Sequence, residues 1–297
     1  MGDSDGHGRN RRPRRRRPGN GPPTWLMRLL RHYQIYTRRS LGQNFLIDES
    51  VLDRILSAAD LQSDELVIEI GAGTGELTER LAQKARRVLA IEIDPKLVRL
   101  LGDRFAGRAN VEIIHQDAVA LDSAALTGGE DYRVVGNLPY SAASPILRTL
   151  LESGHPPTQI LAMLQREVAL RLVAPAGRLN VLAISVQIYA EPTLCFDVPA
   201  TAFFPSPEVS SAVVRLDVRA SPLVPDRREE FFRIVSAGFT HPRKQIHNSI
   251  PRVLWSPPEG IDNALLEAKI DPHLRAQNLT IDDWVRLRDR LLAHGVL

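Results

Sequence analysis

Asn137-Leu138-Pro139-Tyr140 is the stretch whose residue types suggest a reaction. An exocyclic amine on a nucleobase is a weak nucleophile, because its lone pair is delocalised into the ring. Transfer of a group to it needs acceptors for both N–H bonds, so that the lone pair can turn toward the donor. The Asn137 side-chain oxygen and the Leu138 carbonyl are suitable acceptors. Pro139 lacks an N–H and fixes the turn, while Tyr140 offers a ring on which a base can stack. A second aromatic pair lies in Phe203-Phe204-Pro205-Ser206-Pro207, where a rigid proline frame holds Phe204 for the other face of an extruded base. The plainer reading of that segment is that its phenylalanines fill an interior interface.

A donor needs a cradle, and Glu69-Ile70-Gly71-Ala72-Gly73-Thr74-Gly75 reads as one. Glycines such as Gly71 and Gly73, placed between a strand and a helix, let the backbone turn sharply and approach a ligand. Glu92 follows Gly71 at the end of the next strand, placed to accept hydrogen bonds from ribose hydroxyls. Asp117 closes the third strand, within reach of an adenine amino group. A dinucleotide fold requires a small residue at position 76, where a helix N-terminus meets a pyrophosphate. Glu76 stands there and would repel it, which disfavours an NAD-dependent oxidoreductase. S-adenosylmethionine carries no phosphate and suits the pattern. Its sulfonium loses its charge as a methyl group leaves, so neither a strong base nor a metal is needed and positioning carries most of the rate. The eight histidines form no metal-like cluster, and Cys195, within Leu194-Cys195-Phe196, reads as a structural thiol.

These residues must be held at successive strand ends, and the surrounding pattern supplies the strands. Short apolar runs at Leu66 to Ile70, Val88 to Ile93, Val111 to His115, Tyr132 to Val135 and Ile160 to Leu164 read as strands. Leu77 to Ala85 and Pro95 to Phe105 read as amphipathic helices between them. The alternation predicts an α/β fold with a parallel sheet. Prolines at 199, 205, 207, 222 and 225 bracket a strand-like run from Ala212 to Val218. Helical patterns follow at Glu229 to Phe239, Asp262 to Lys269 and Ile281 to Leu292. The expected division is a tail over 1–22, a sheet domain over 23–205 and a small helical domain over 206–297.

Charge is unevenly spread. Residues 1–40 hold eleven arginines against Asp3 and Asp5, a net +9, so against a total of +3 the remaining chain carries −6. Residues 1–22 have almost no apolar group to bury beyond Met1 and read as a disordered, arginine-rich tail. That tail is expected to strengthen contact with phosphate backbones without choosing the target base. It lacks the apolar core of a secretory signal, and no segment has the 18 apolar residues of a membrane span. A soluble, cytoplasmic, monomeric protein with no membrane contact is expected.

The chain resembles the ribosomal RNA adenine N6-dimethyltransferases, and within them the bacterial small-subunit branch, from about Arg38 to its C-terminus. Besides the two motifs above, the resemblance rests on Leu41-Gly42-Gln43-Asn44-Phe45-Leu46 with Asp48, and on Gln165-Arg166-Glu167-Val168-Ala169. It continues through Phe203 to Pro207, Ser211 to Leu216, Phe239 with Arg243-Lys244 and Asn248, and Arg275-Ala276 with Leu279. The resemblance implies a Rossmann-like S-adenosylmethionine-dependent methyltransferase sheet with a small C-terminal helical domain. It implies that Asn44 and Leu46 close over the methionine end of the cofactor, that Gly71, Glu92 and Asp117 hold the turn, ribose and adenine, and that Gln43 and Gly73 are further cofactor-binding residues. Asn137 would lie between cofactor and target amine, with Tyr140 and Phe204 sandwiching the base. The implied reaction dimethylates N6 of two adjacent adenines in the 3′-terminal hairpin loop of 16S rRNA, linked to small-subunit maturation. Leu138 favours this branch over the large-subunit (23S) enzymes, which more often carry isoleucine there. The alternatives are such a 23S enzyme and an assembly factor whose RNA binding outweighs its catalysis. Leu179-Asn180, Glu208, Ser210 and Pro242 depart from the family pattern, and the basic groups missing at 208 and 242 should weaken phosphate contacts.

Overall fold

The computed structural model describes residues 23–36, 43–224, 226–254 and 258–296. The tail over 1–22 and the residues Arg38, Leu41 and Gly42 of the resemblance lie outside them. In chain order the elements are α1 (Thr24–His32), β1 (Phe45–Leu46), α2 (Glu49–Ala59), β2 (Leu66–Ile70), α3 (Glu76–Leu81) and β3 (Arg87–Glu92). There follow α4 (Pro95–Arg104), β4 (Val111–His115), α5 (Ser123–Thr127), β5 (Tyr132–Asn137), α6 (Ala143–Glu152) and β6 (Gln159–Gln165). Then come α7 (Arg166–Leu172), α8 (Val181–Gln187), β7 (Ala190–Val198), β8 (Phe203–Phe204) and β9 (Ser211–Val218). The chain ends in α9 (Arg228–Thr240), α10 (Ile246–Leu254), α11 (Pro258–Glu267) and α12 (Ile281–Ala293).

Seven strands form one sheet in the order β4-β3-β2-β5-β6-β9-β7. β2 to β6 are mutually parallel, while β9 runs antiparallel between β6 and β7. Both faces are covered, so the strands read as continuous apolar runs rather than alternating ones. Leu66, Ile68 and Ile70 of β2 point into one cluster with α6, α8 and the C-terminal helices. Val67 points into the other, with Leu52 and Ile55 of α2 and Leu77 and Leu81 of α3. Because β3 and β5 flank β2 and their helices leave on opposite sides, the strand ends part there and open a crevice. Close pairing of β2 with β5 depends on Gly136, where a Cβ would stand 2.5 Å from the Ile70 carbonyl oxygen.

Two expectations change. The boundary at 205/206 would assign Ser211–Val218 to the helical domain, but this strand lies inside the sheet, and the first helix of the C-terminal region begins at Arg228. Its apolar residues Ala212, Val214 and Leu216 are fully buried there, which draws β9 across the proline-rich stretch into the sheet. The helical region also has no core of its own: Phe231, Ile234, Ile250 and Trp284 share one apolar cluster with Ile184, Ile188 and the sheet. The second change lies before Glu65, where the sequence reading holds no element and the structure holds α1, β1 and α2. Asp48 caps α2 by accepting from the Ser50 and Val51 amides, a signal present in the sequence.

Candidate active site

A cleft of about 250 Å³ opens at the C-terminal ends of β2 to β5. Four positive-φ or hydrogen-bonded turns shape it. After β2 the chain reverses through Gly71 (φ +76°) and Gly73 (φ +60°), and Gly75 (φ +89°) caps α3. A Cβ at Gly71 would lie 2.9 Å from the Asn137 carbonyl oxygen, so the glycine turn and the end of β5 can meet only with glycine at that position.

Glu92 ends β3 and is 7% exposed. Its Oε2 accepts from the Gly73 amide at 2.9 Å, and Oε1 accepts from the Ile93 and Asp94 amides at 2.9 and 3.0 Å. Burial raises its pKa, and these three amides pull the other way. The carboxylate is thereby fixed as an acceptor facing the cleft. Asp117, after β4, is exposed and uses Oδ1 to accept from the Val119 amide at 2.9 Å.

At the end of β5 the Asn137 Nδ2 donates to the Asn44 carbonyl at 3.3 Å, tying the tetrapeptide to the segment that enters β1. Gln43 is held too, its Nε2 donating to the buried Asp94 at 2.9 Å. The Leu138 amide donates to Met163 of β6, and the Pro139 carbonyl accepts from Ala142, which closes the turn into α6. Tyr140 is anchored by a 2.7 Å hydrogen bond between its hydroxyl and that of Ser211, which is fully buried at the start of β9. Burial raises the Tyr140 pKa and the Ser211 bond opposes the rise.

Gln43, Asn44, Gly71, Gly73, Glu92, Asp117, Asn137, Leu138, Pro139 and Tyr140 all line this one cleft. Leu46 and Phe204 do not. β1 pairs antiparallel with β8, setting Phe45 opposite Phe204 and Leu46 opposite Phe203. Phe203 is buried in the α2–α3 layer, which is the plug role, and Phe204 is half-buried beside Phe45 and Leu97. Leu46 instead lines a smaller adjoining cavity of about 50 Å³ beneath the glycine turn. Cys195 lies on the edge strand β7, outside the cleft, with its thiol pKa raised by burial.

Three site features have surroundings that residue order alone does not reveal. Ser211 is one, recognisable only once β9 lies in the sheet. Glu76 is another: rather than standing bare, it pairs with Arg104 at 2.5 Å, and Arg104 also donates to the Thr74 carbonyl. Glu69 is the third, and its signal is a lone carboxylate in an otherwise apolar strand. It is 1% exposed, lines the smaller cavity, and its Oε2 makes no hydrogen bond among the described residues. Burial pushes its pKa up to about 8, with Glu92 adding to the rise and Thr78 and Arg104 opposing it. Among the described residues no three His, Cys, Asp or Glu gather as metal ligands, and no helix is long and apolar enough to cross a membrane.

A glycine turn beside a buried carboxylate at the switch point of a parallel sheet, with an Asn-Leu-Pro-Tyr turn on the adjacent strand, defines a Rossmann-like methyltransferase. The chain belongs to the ribosomal RNA adenine dimethylase family, whose model matches residues 35–292. The ribosomal RNA small subunit methyltransferase A of Dehalococcoides mccartyi (strain CBDB1) is 38% identical over 261 residues, 87% of this chain and 90% of that protein. The protein of the same name from Pelotomaculum thermopropionicum is 39% identical over 287 residues, 92% of this chain and 97% of its own. Among solved structures, a dimethyladenosine transferase from Plasmodium falciparum superposes with a TM-score of 0.72 at 25% identity, covering 84% of this chain and 98% of that one. The 23S rRNA methyltransferase ErmE gives 0.68 at 30% identity, covering 84% and 99%.

Proposed function

We propose that this protein dimethylates N6 of two adjacent adenines in the 3′-terminal hairpin loop of small-subunit rRNA, with S-adenosylmethionine as methyl donor. The observation that carries the chemistry is the Asn137–Asn44 bond: with Nδ2 engaged by the Asn44 carbonyl, the amide presents its oxygen to an incoming amine. The family and the relatives' names support the substrate class, and Leu138 supports the small-subunit branch.

The residues present fit such a donor. The positive-φ glycine turn lets its backbone line the cleft against the Asn137 carbonyl, and Glu92 keeps lone pairs for ribose hydroxyls. When bound, S-adenosylmethionine supplies an electrophilic methyl group on a cationic sulfur. In the first transfer Asn137 Oδ1 and the Leu138 carbonyl accept the two N–H bonds of the target amine, turning its lone pair toward that methyl, and in the second the one remaining N–H is held by one of the same acceptors. Tyr140, its ring plane set by Ser211, supports one face of the base. As the new C–N bond forms, the methyl–sulfur bond breaks and leaves a neutral thioether, the amine proton goes to water, and no residue has to act as a strong base. Catalysis by positioning of this kind is sensitive to small displacements of the holding groups.

The test is incubation with methyl-depleted small subunits, large-subunit rRNA run alongside, and mass spectrometry for N6,N6-dimethyladenosine. Product on the small-subunit hairpin is expected. Product confined to large-subunit RNA, or none at all, refutes the assignment.

A further inference from the structure

α1 is amphipathic, and only one of its faces is used by the fold. Leu26 and Leu30, with Ile35 just beyond, are buried against Leu97 and Leu100 of α4 and against Phe45. The opposite face carries Trp25, Arg28, Arg31 and His32, all exposed, with Trp25 44% exposed. The first turns of α4 extend this surface. The Lys96 ammonium donates to the Gln34 carbonyl at 2.6 Å and sits 5.6 Å from the ring centroid of Tyr36, which is 77% exposed. Arg99 is exposed beside Tyr33.

The charges here are unbalanced. The cations outnumber the carboxylates beside them: Asp103, which accepts from the Tyr33 hydroxyl at 3.0 Å, and Asp94, which accepts from Gln43 and the Lys96 amide, offset only part of the charge. Arg28, Arg31, Lys96 and Arg99 have no carboxylate partner among the described residues, whereas Arg80, Arg104 and Arg133 elsewhere are paired. Four cations held together repel one another, and a polyanion relieves that repulsion. Two exposed aromatic rings among them add stacking faces, a combination suited to single-stranded and loop RNA. A membrane surface fits poorly, because the helix face that would enter it is already packed on α4. The surface also reaches the reaction site: Phe45 and Leu97, beneath α1, line the cleft, as does Ile93 at the start of the same turn. In sequence, α1 directly follows a segment with seven further arginines between residues 9 and 17.

We propose that the solvent face of α1, with Lys96 and Arg99 of α4, is an RNA-docking surface that holds the phosphate backbone flanking the target loop while the base enters the cleft. This rests on the rRNA reading above and extends it to the enzyme's N-terminal side. The docking surface sets affinity, whereas the cleft selects the nucleotide.

The test uses the full chain with Arg28→Gln, Arg31→Gln and Arg99→Gln combined, and Arg31→Gln alone as a milder variant, with melting temperatures confirming the fold. Binding to methyl-depleted small subunits is measured from 50 to 300 mM salt, alongside S-adenosylmethionine affinity and the site of methylation. The triple variant is expected to bind about tenfold or more weakly at 100 mM salt, with the slope of log K against log salt reduced by about 2 to 3. Cofactor affinity and the modified nucleotides should be unchanged. Wild-type binding and methylation together with an unaltered slope in both variants would overturn the docking surface alone. A wild type that neither binds nor methylates this RNA would overturn the rRNA reading and the surface with it.

Discussion

Asn137 is the residue on which the chemistry turns, and its carbonyl oxygen and side chain are committed in different directions. The carbonyl abuts Gly71, while the amide nitrogen is held by Asn44. Asn137→Ala removes an acceptor that matters most when charge develops on the amine, so turnover should fall by roughly 10²- to 10³-fold. Calorimetric affinity for S-adenosylmethionine should change little; an active variant would remove Asn137 from its role. Tyr140 and Ser211 form a pair, and a double-mutant cycle separates ring from hydroxyl. Tyr140→Phe and Ser211→Ala should each reduce kcat/KM for RNA by severalfold, and the double variant should be no worse than the poorer single one. Additive losses would show that the two act independently.

Glu69 makes stability pH-dependent in a definite direction. Its folded pKa, near 8, lies above the ordinary carboxylate value, so the folded state holds the proton more tightly than the unfolded chain. Its contribution is complete at pH values below the ordinary carboxylate pKa and is lost as pH rises toward 8, by at most about 1.4 kcal/mol per pH unit. Urea unfolding at pH 5 and pH 8 should show this loss in the wild type. Glu69→Gln, which cannot ionise, should flatten it.

Among the elements, the contact between β2 and β5 controls the width of the crevice. Gly136 permits it, because any side chain there meets the Ile70 backbone. Gly136→Ala should destabilise the protein by about 1–3 kcal/mol, as overpacking does, and weaken cofactor binding by moving Asn137 from the glycine turn. A lower urea midpoint with an unchanged m-value is the expected signature; wild-type stability would show that the strands can part without cost. The short β1–β8 ribbon acts similarly on the rim. It pairs Phe45 and Leu46 with Phe204 and Phe203, across more than 150 positions of sequence, and so holds the preceding Asn44 where its carbonyl accepts from Asn137.

For the whole molecule, the continuous apolar cluster joining the sheet to α9–α12 couples the two regions. Phe231, Ile234 and Trp284 are each completely buried, and part of what buries them belongs to α6 and α8. A single cooperative transition is therefore expected in calorimetry, with equal calorimetric and van't Hoff enthalpies. Two resolved transitions would mean that the helical region folds by itself.

Much of the molecule was legible in its residues. The five parallel strands and the helices at Pro95, Arg228 and Ile281 follow from local apolar period and caps, because such signals need no distant partner. The glycine turn, Glu92, Asp117 and the Asn137–Tyr140 turn are local motifs at strand ends, and their meeting in one cleft follows from parallel topology alone. Other features needed the third dimension. Ser211–Val218 joins the sheet because its apolar face is buried between β6 and β7, which overrides the prolines around it. Phe203 becomes core while Phe204 is left half-buried because adjacent strand residues point to opposite sides. Glu69 is raised in pKa by what buries it, Glu76 is neutralised by an arginine 28 positions away, and α1 becomes a one-sided basic surface because α4 covers its other face. Residue order along the chain thus sets which groups can do chemistry, and long-range burial decides which of them are charged, anchored or exposed.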